Sequence, residues 1–357
     1  MKKTFLSVTI ASLLLATTAF AANESQEQFV PNGSLTASQT FYGNSGKYKT
    51  ATSKPELIFD YNFTPEWNVN AQWTRSTNLH DYDQNNHYNQ NNNTSTPEIN
   101  INYNHGYLGN SKIKWTSNVN YKNFTVMSAK TSNVNYAWAT TTFDFAEYMP
   151  SSEYAKTTQF AIMPAYAYGW DSQSGHSGHM NSGAIAFLGS WALPANFTFN
   201  MQAYLIRDFY NGGQKMNKVN SQGESIKSYS TETYGAFFAY LNYARDIYKF
   251  NENTALSFNF IGGMDPYMIG NKKSNGWFPF FAGNQQYQWT EPTVQQGNTK
   301  NQYIAFALPT LQVTAKLTED ISATIYAGAK YSNQVWGDTS KDWKLQPQGG
   351  LSLTYNF

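Results

Sequence analysis

The sequence predicts an all-β fold: a transmembrane antiparallel up-and-down β-barrel of about fourteen strands, with long extracellular loops and short periplasmic turns. Three observations point to it. The stretch from Trp343 to Phe357, WKLQPQGGLSLTYNF, alternates at period two to the last residue. Leu351, Leu353, Tyr355 and Phe357 share one face, while Gln346, Gln348, Gly350, Ser352, Thr354 and Asn356 share the other. Similar alternation recurs along the chain. Charged residues make up only 13% of the sequence, about half the share usual in soluble domains, while aromatics reach 17%.

The N-terminus, MKKTFLSVTIASLLLATTAFA, carries two lysines, an apolar run from Phe5 to Ala16 and a small-x-small site at Ala19-Phe20-Ala21. Residues 1–21 are therefore expected to be a secretory signal peptide and 22–357 the barrel. No later run of roughly 18 apolar residues could form a spanning helix, so a membrane crossing has to be a closed barrel. A mean hydropathy of −0.55 fits such a barrel, because alternate residues and the loops face water.

Strands are expected at 33–42, 54–63, 67–77, 97–107, 112–122, 133–145, 158–169, 182–192, 197–209, 231–243, 253–263, 301–316, 321–333 and 343–357. Short connections with turn chemistry fall at Thr64-Pro65-Glu66, Gly109-Asn110-Ser111, Pro194-Ala195-Asn196 and Thr318-Glu319-Asp320. Two longer ones are expected at 146–157 and 244–252, and all six belong to the periplasmic side with both termini. The opposite loops are polar or Gly-rich, the longest being 264–300, and the Asn-rich tract from Gln84 to Asn93 reads as an exposed loop.

Five strands alternate most clearly. Trp67, Val69, Ala71 and Trp73 face lipid against inward Asn68, Asn70, Gln72 and Thr74, and Ile99, Ile101 and Tyr103 oppose Asn100, Asn102 and Asn104. Ile113, Trp115, Val119 and Tyr121 oppose Lys112, Lys114, Thr116, Asn118 and Asn120. Phe197, Phe199, Met201 and Ala203 alternate with Thr198, Asn200 and Gln202, and Ile321, Ala323, Ile325 and Ala327 with Ser322 and Thr324. The phase of 133–145 and 231–243 is ambiguous. Pro164, Pro309 and Pro347 lie inside strand runs, where a bulge or strand end is expected because Pro removes a ladder donor.

Composition excludes several classes. The absence of cysteine rules out a disulfide framework and thiol chemistry. Removing Lys2 and Lys3 leaves 22 basic against 23 acidic residues, a charge of −1, so nothing favours nucleic acid. His176-Ser177-Gly178-His179 has a two-histidine spacing but sits in a Gly/Ser-rich loop, and His80-Asp81 with Asp83 and His87 sits in an Asn-rich one. Both read as loop neighbours rather than a metal or hydrolytic site, and no catalytic residue, metal or cofactor is assigned.

Several stretches together resemble the fusobacterial FomA-type major outer-membrane porins: PNGSLTASQTFYG (31–43), NFTPEWNVNAQW (62–73), YNHGYLGNSKIKWTSNVNYK (103–122), TTFDFAEYMPSSEYAK (141–156), LPANFTFNMQAYL (193–205), PTLQVTAKLTEDISATIYAGAKY (309–331) and WKLQPQGGLSLTYNF (343–357). They fall on strands and periplasmic turns, not on loops. The resemblance implies a water-filled diffusion channel in the bacterial outer membrane, a homotrimer, with loops that could also contact host or bacterial surface ligands. An adhesin whose barrel only displays loops is the alternative, and an outer-membrane hydrolase a third reading.

On this reading, Glu56, Asp60, Lys112, Lys114, Asp144, Lys316, Lys330 and Lys344 line the pore, with Arg75 and Asp265 near its mouth. The mixed signs imply weak ion preference. Leu353, Tyr355 and Phe357 form the C-terminal signal for the outer-membrane assembly machinery, and membrane lipid is the other constant partner. The aromatic knot Trp277, Phe278, Phe280 and Phe281 in the longest loop is expected to narrow the extracellular mouth.

Overall fold

The computed structural model describes residues 29–45, 52–78, 93–126, 133–171, 178–212, 216–219, 225–270, 301–333 and 343–357. The expected signal peptide, His80 to His87, His176 and the Trp277 to Phe281 knot lie outside these described residues.

The strands are β1 (Asn32–Tyr42), β2 (Thr52–Asn62), β3 (Trp67–Asn78), β4 (Thr94–Tyr107), β5 (Lys114–Val126), β6 (Asn133–Asp144), β7 (Lys156–Asp171), β8 (His179–Ala192), β9 (Phe197–Asn211), β10 (Met216–Val219), β11 (Ser225–Tyr229), β12 (Thr231–Asn251), β13 (Thr254–Gly270), β14 (Asn301–Lys316), β15 (Ile321–Ser332) and β16 (Lys344–Asn356). All but β10 and β11 form one closed antiparallel barrel of 14 strands, in which each strand pairs with its sequence neighbours and β1 pairs with β16. The barrel closes from Ser34↔Asn356 to Tyr42↔Gln348. At the rim the Gly33 N–H donates to the Phe357 carbonyl at 2.8 Å, and the Phe357 N–H to the Gly33 carbonyl at 3.0 Å.

All fourteen expected strands are present, with three corrections. Residues 244–252 do not form a long connection. β12 runs to Asn251 through bulges at Asp246/Tyr248 and Lys249/Asn251, and Ser257 Oγ donates to Asp246 across the ladder at 2.8 Å. The 210–230 loop contains the β10–β11 hairpin.

The third correction concerns proline. Pro164 and Pro309 cause neither a bulge nor a strand end. The β6–β7 ladder steps from Thr140↔Ala165 to Phe143↔Ile162, and the β14–β15 ladder from Ala307↔Tyr331 to Thr310↔Gly328, without change of register. Pro55 and Pro97 do the same between β2 and β3 and between β4 and β5. Proline lacks one donor, and that donor faces only one neighbour, so the opposite ladder stays continuous through each of the four. Pro347 is no strand end either: β16 starts at Lys344, the β15 ladder runs through Ala329↔Pro347, and on the β1 side its carbonyl accepts from the Gly43 N–H at 2.7 Å.

Turn chemistry follows the sequence. Thr64 Oγ1 accepts from the Glu66 and Trp67 N–H groups, both at 3.2 Å, and Thr318 Oγ1 accepts from Ile321 at 3.0 Å. Ala195 and Asn196 have φ of 57° and 65°, the left-handed pair that a tight hairpin turn needs.

Outward positions form an apolar band. Leu57, Ile99, Ile101, Val119, Ile185, Leu205, Leu311, Ile325 and Leu351 are all exposed, a surface suited to lipid rather than water. At the short-turn rim rings meet in series: Trp67–Tyr103 at 4.5 Å, Tyr103–His105 at 4.5 Å, His105–Trp115 at 3.9 Å and Trp115–Phe143 at 6.0 Å. Such girdles mark a membrane interface. A closed even-stranded barrel with this outer face is a bacterial outer-membrane protein.

Two substitutions test closure and packing. Gly263 has φ of 153°, and a Cβ there would lie 1.8 Å from the Ala239 carbonyl oxygen. Gly263→Ala is expected to cost about 1–3 kcal/mol, read as a lower urea midpoint in detergent. Phe357 stacks on Tyr61 at 6.0 Å and Tyr355 at 5.7 Å. Phe357→Asp costs only about 0–1 kcal/mol directly at the interface, so the expected loss is in assembly, measured as reduced outer-membrane abundance; normal abundance contradicts the assigned role.

Candidate pore lining

Strict alternation assigns the inner wall. From β1 to β5 the even-numbered residues point inward, and they form tiers across the sheet. Asn118 Nδ2 donates to Asn102 Oδ1 at 2.8 Å, Asn102 to Asn68 at 2.9 Å, Asn68 to Asn62 at 3.0 Å and Asn62 to Asn32 at 2.9 Å. The four donating amides point the same way round the barrel, and Asn32 ends the row by donating to the Val30 carbonyl at 3.1 Å. One step toward the long loops, Asn68 and Asn70 donate to Asp60, and Asn120 donates to Asn100 and to Glu98.

Above these lie charges in pairs. Lys122 Nζ is 3.5 Å from Glu98 Oε2, both buried, and Lys54 Nζ is 3.5 Å from Glu56 Oε2, which also accepts from Thr74 Oγ1 at 3.1 Å. The inner wall of β1–β5 is thus polar, mostly half-buried, and nearly neutral.

The opposite wall differs. Inward positions of β9, β12, β13 and β14 form a buried apolar cluster: Ile206, Tyr234, Ala236, Phe238, Tyr240, Ile261, Ile304 and Phe306. Val134, Tyr136, Met180 and Tyr210 form a second cluster, and Ala161, Met163, Ala186 and Leu188 a third. This corrects the expectation of a uniformly wet interior. It also explains the two ambiguous strands, since β12 is apolar on both faces and the loop-side half of β6 points Asn133 and Asn135 outward and Val134 and Tyr136 inward. Several polar groups on this wall are bonded, with Tyr240 donating to Asp265 Oδ1 at 2.8 Å and Ser182 and Tyr210 to Asp208.

The expected pore residues divide accordingly. Glu56 and Asp60 lie on the polar wall, and Lys344 points inward on β16. Asp144 is buried, accepting from the Ala146 and Phe160 N–H groups at 2.9 and 3.0 Å, which fixes the turn after β6. Lys330 points inward but is buried, its ammonium 5.1 Å from the Phe306 ring centre and acting on Asp265. Lys316 is exposed at the short-turn rim. Lys112 sits in the turn before β5, and Lys114 pairs with Glu147 at 3.1 Å. The Tyr107 hydroxyl donates to Glu147 at 2.7 Å, and this bond, followed by Lys114, holds the Glu147 carboxyl below the usual carboxylate range. Arg75 is a correction: Thr74 is inward, so Arg75 takes the outward register with Trp73. Lys54, Glu98 and Lys122 were missed, although Glu98 and Lys122 share the phase of Asn100 and Asn120, because they lie at the loop ends of their expected strands.

No protein-family model matches the chain, and no curated protein is similar to it. Among solved structures it is similar to a bacterial polysaccharide outer membrane secretin, with 8% identity and a TM-score of 0.41 over 91% of this chain and 98% of that one. It is similar to the outer membrane channel DcaP of Acinetobacter baumannii, with 9% identity and a TM-score of 0.35 over 92% and 96%. A third is OmpT, an outer membrane protein of Vibrio cholerae in trimer form, with 8% identity and a TM-score of 0.32 over 92% and 98%. Nothing about solutes follows from likeness at this level.

The buried pair gives a test. Lys122→Met alone strands the Glu98 carboxylate and is expected to destabilise the barrel by about 3–5 kcal/mol. Adding Glu98→Gln should recover most of that loss in detergent unfolding measurements.

Proposed function

We propose that this protein is an outer-membrane porin: a water-filled channel, working as a homotrimer, through which small hydrophilic solutes and ions diffuse passively. The observation that carries this reading is the half-exposed polar wall of β1–β5 inside a closed barrel. Eight strands are filled by their own side chains, and fourteen enclose more than the apolar clusters of the far wall occupy. A wall of amides and hydroxyls keeps water in the remaining space, while the apolar side gives the barrel a packed core. The resemblance of the strands and short turns to FomA-type porins supports the same reading.

Ion preference should be weak. Lys54 is paired with Glu56 and Lys122 with Glu98, so each ion pair cancels most of its own field, and Asp60 is partnered by two asparagine amides. The purified, folded protein is expected to give stepwise ion conductance in planar bilayers. The cation-to-anion permeability ratio in a salt gradient should stay within about tenfold, equivalent to about 1.4 kcal/mol. Folded protein that passes no current overturns the proposal.

A further inference from the structure

The asparagine belt does something that a merely wet wall would not. A relay of five amides, each donating to the next, occupies one N–H and one oxygen lone pair of Asn102, Asn68 and Asn62 and fixes their side-chain orientation. An asparagine amide offers two N–H donors and two acceptor sites. Among the described residues Asn62 and Asn102 each keep one of each for the lumen, two strands or roughly 9.6 Å apart, while Asn68 between them spends its donors on Asn62, Asp60 and the Tyr61 carbonyl. Aligned amide dipoles polarise one another and strengthen what they offer.

Two further features suit the same ligand. The paired charges nearby leave little net field on the wall. At its loop-side end the Tyr326 ring lies against Gly350, where a Cβ would fall 2.7 Å from a ring atom, and its hydroxyl is 2.7 Å from Thr40 Oγ1. Glycine lets the ring lie flat on the wall as a stacking platform.

Resting on the channel reading above, we propose that the β1–β5 wall is a binding track for neutral saccharides. Paired hydroxyls of a sugar, each both donor and acceptor, match the fixed donor–acceptor pairs of Asn62 and Asn102, whose spacing of roughly 9.6 Å is on the order of two sugar rings. A charged solute gains nothing from amides that it does not gain from water, and a polyether of equal size offers acceptors only.

The test is current reduction in planar bilayers by a linear neutral glucose hexasaccharide, with polyethylene glycol of the same size as control. Saturable reduction by the saccharide and not by the polyether is expected. The double variant Asn102→Val/Asn118→Val should weaken it at least ~10-fold, read as the fraction of the variant's own potassium chloride current that the saccharide blocks. If that variant does not fold, Asn118→Ser is read instead, and a weakened saccharide response is again expected. Conductance without saturable reduction, or equal reduction by the polyether, overturns the track and leaves the channel standing. If folded protein carries no current, the channel reading falls. Calorimetric titration of the detergent-purified barrel with the hexasaccharide then decides the belt: absence of binding overturns it, and binding lost in the variant upholds it.

Discussion

Inside a bilayer no water is available to a backbone amide, so every N–H and C=O must find its partner within the sheet. The rest of this structure depends on that constraint. It requires β1 to meet β16, and it makes the Gly33–Phe357 exchange the point at which the last edge disappears. It also requires strict period-two alternation, which then sorts every side chain to lipid or interior.

Once sorted, the interior is not uniform. Charged and amide side chains collect on β1–β5, where each is bonded across the sheet, while tyrosine, phenylalanine and isoleucine collect on β9 and β12–β14. The arrangement resolves a conflict. A barrel this wide cannot be filled by its own side chains, yet a wholly wet interior would have no tertiary packing beyond the ladder. Packing one side and hydrating the other provides both.

Much of this was legible in the sequence wherever the two environments differed in polarity. β3, β4, β5, β15, β16 and the short-turn half of β9 carry apolar side chains outward and polar ones inward, so Trp67-Asn68-Val69-Asn70 can be read in one way only. β12 was legible as a strand but not in phase, because Phe237 faces lipid and Phe238 an apolar interior, and the two look alike in sequence. Its end was misplaced because hydrophobic alternation stops at the membrane boundary while the hydrogen-bond ladder continues into water to Asn251. The β10–β11 hairpin leaves no trace because two strands of four and five residues are too short to carry a readable alternation. The candidate site was legible as a polar wall, since Asn68, Asn102 and Asn118 share a phase. Its lateral connections were not, because register between strands is set by turns and bulges such as that between Asn104 and Gly106. Lys330 shows the complementary limit, since alternation gives a side chain's direction but not whether space or a phenylalanine ring awaits it.

The proline gaps have a mechanical consequence. Those at Pro55, Pro97, Pro164 and Pro309 all open between strands joined on the short-turn side, whereas Pro266 lies in the bulge that interrupts the β13–β14 ladder, between strands joined across a long loop. A short turn holds its two strands together covalently and keeps the entropy of re-closing a parted ladder small. Seams with no such tether depend more on their hydrogen bonds, and there the ladders run through those four prolines unbroken. Under lateral tension from the bilayer the wall at these four prolines therefore breathes within a hairpin, where parting is quickly reversed, and holds at the neighbouring seam.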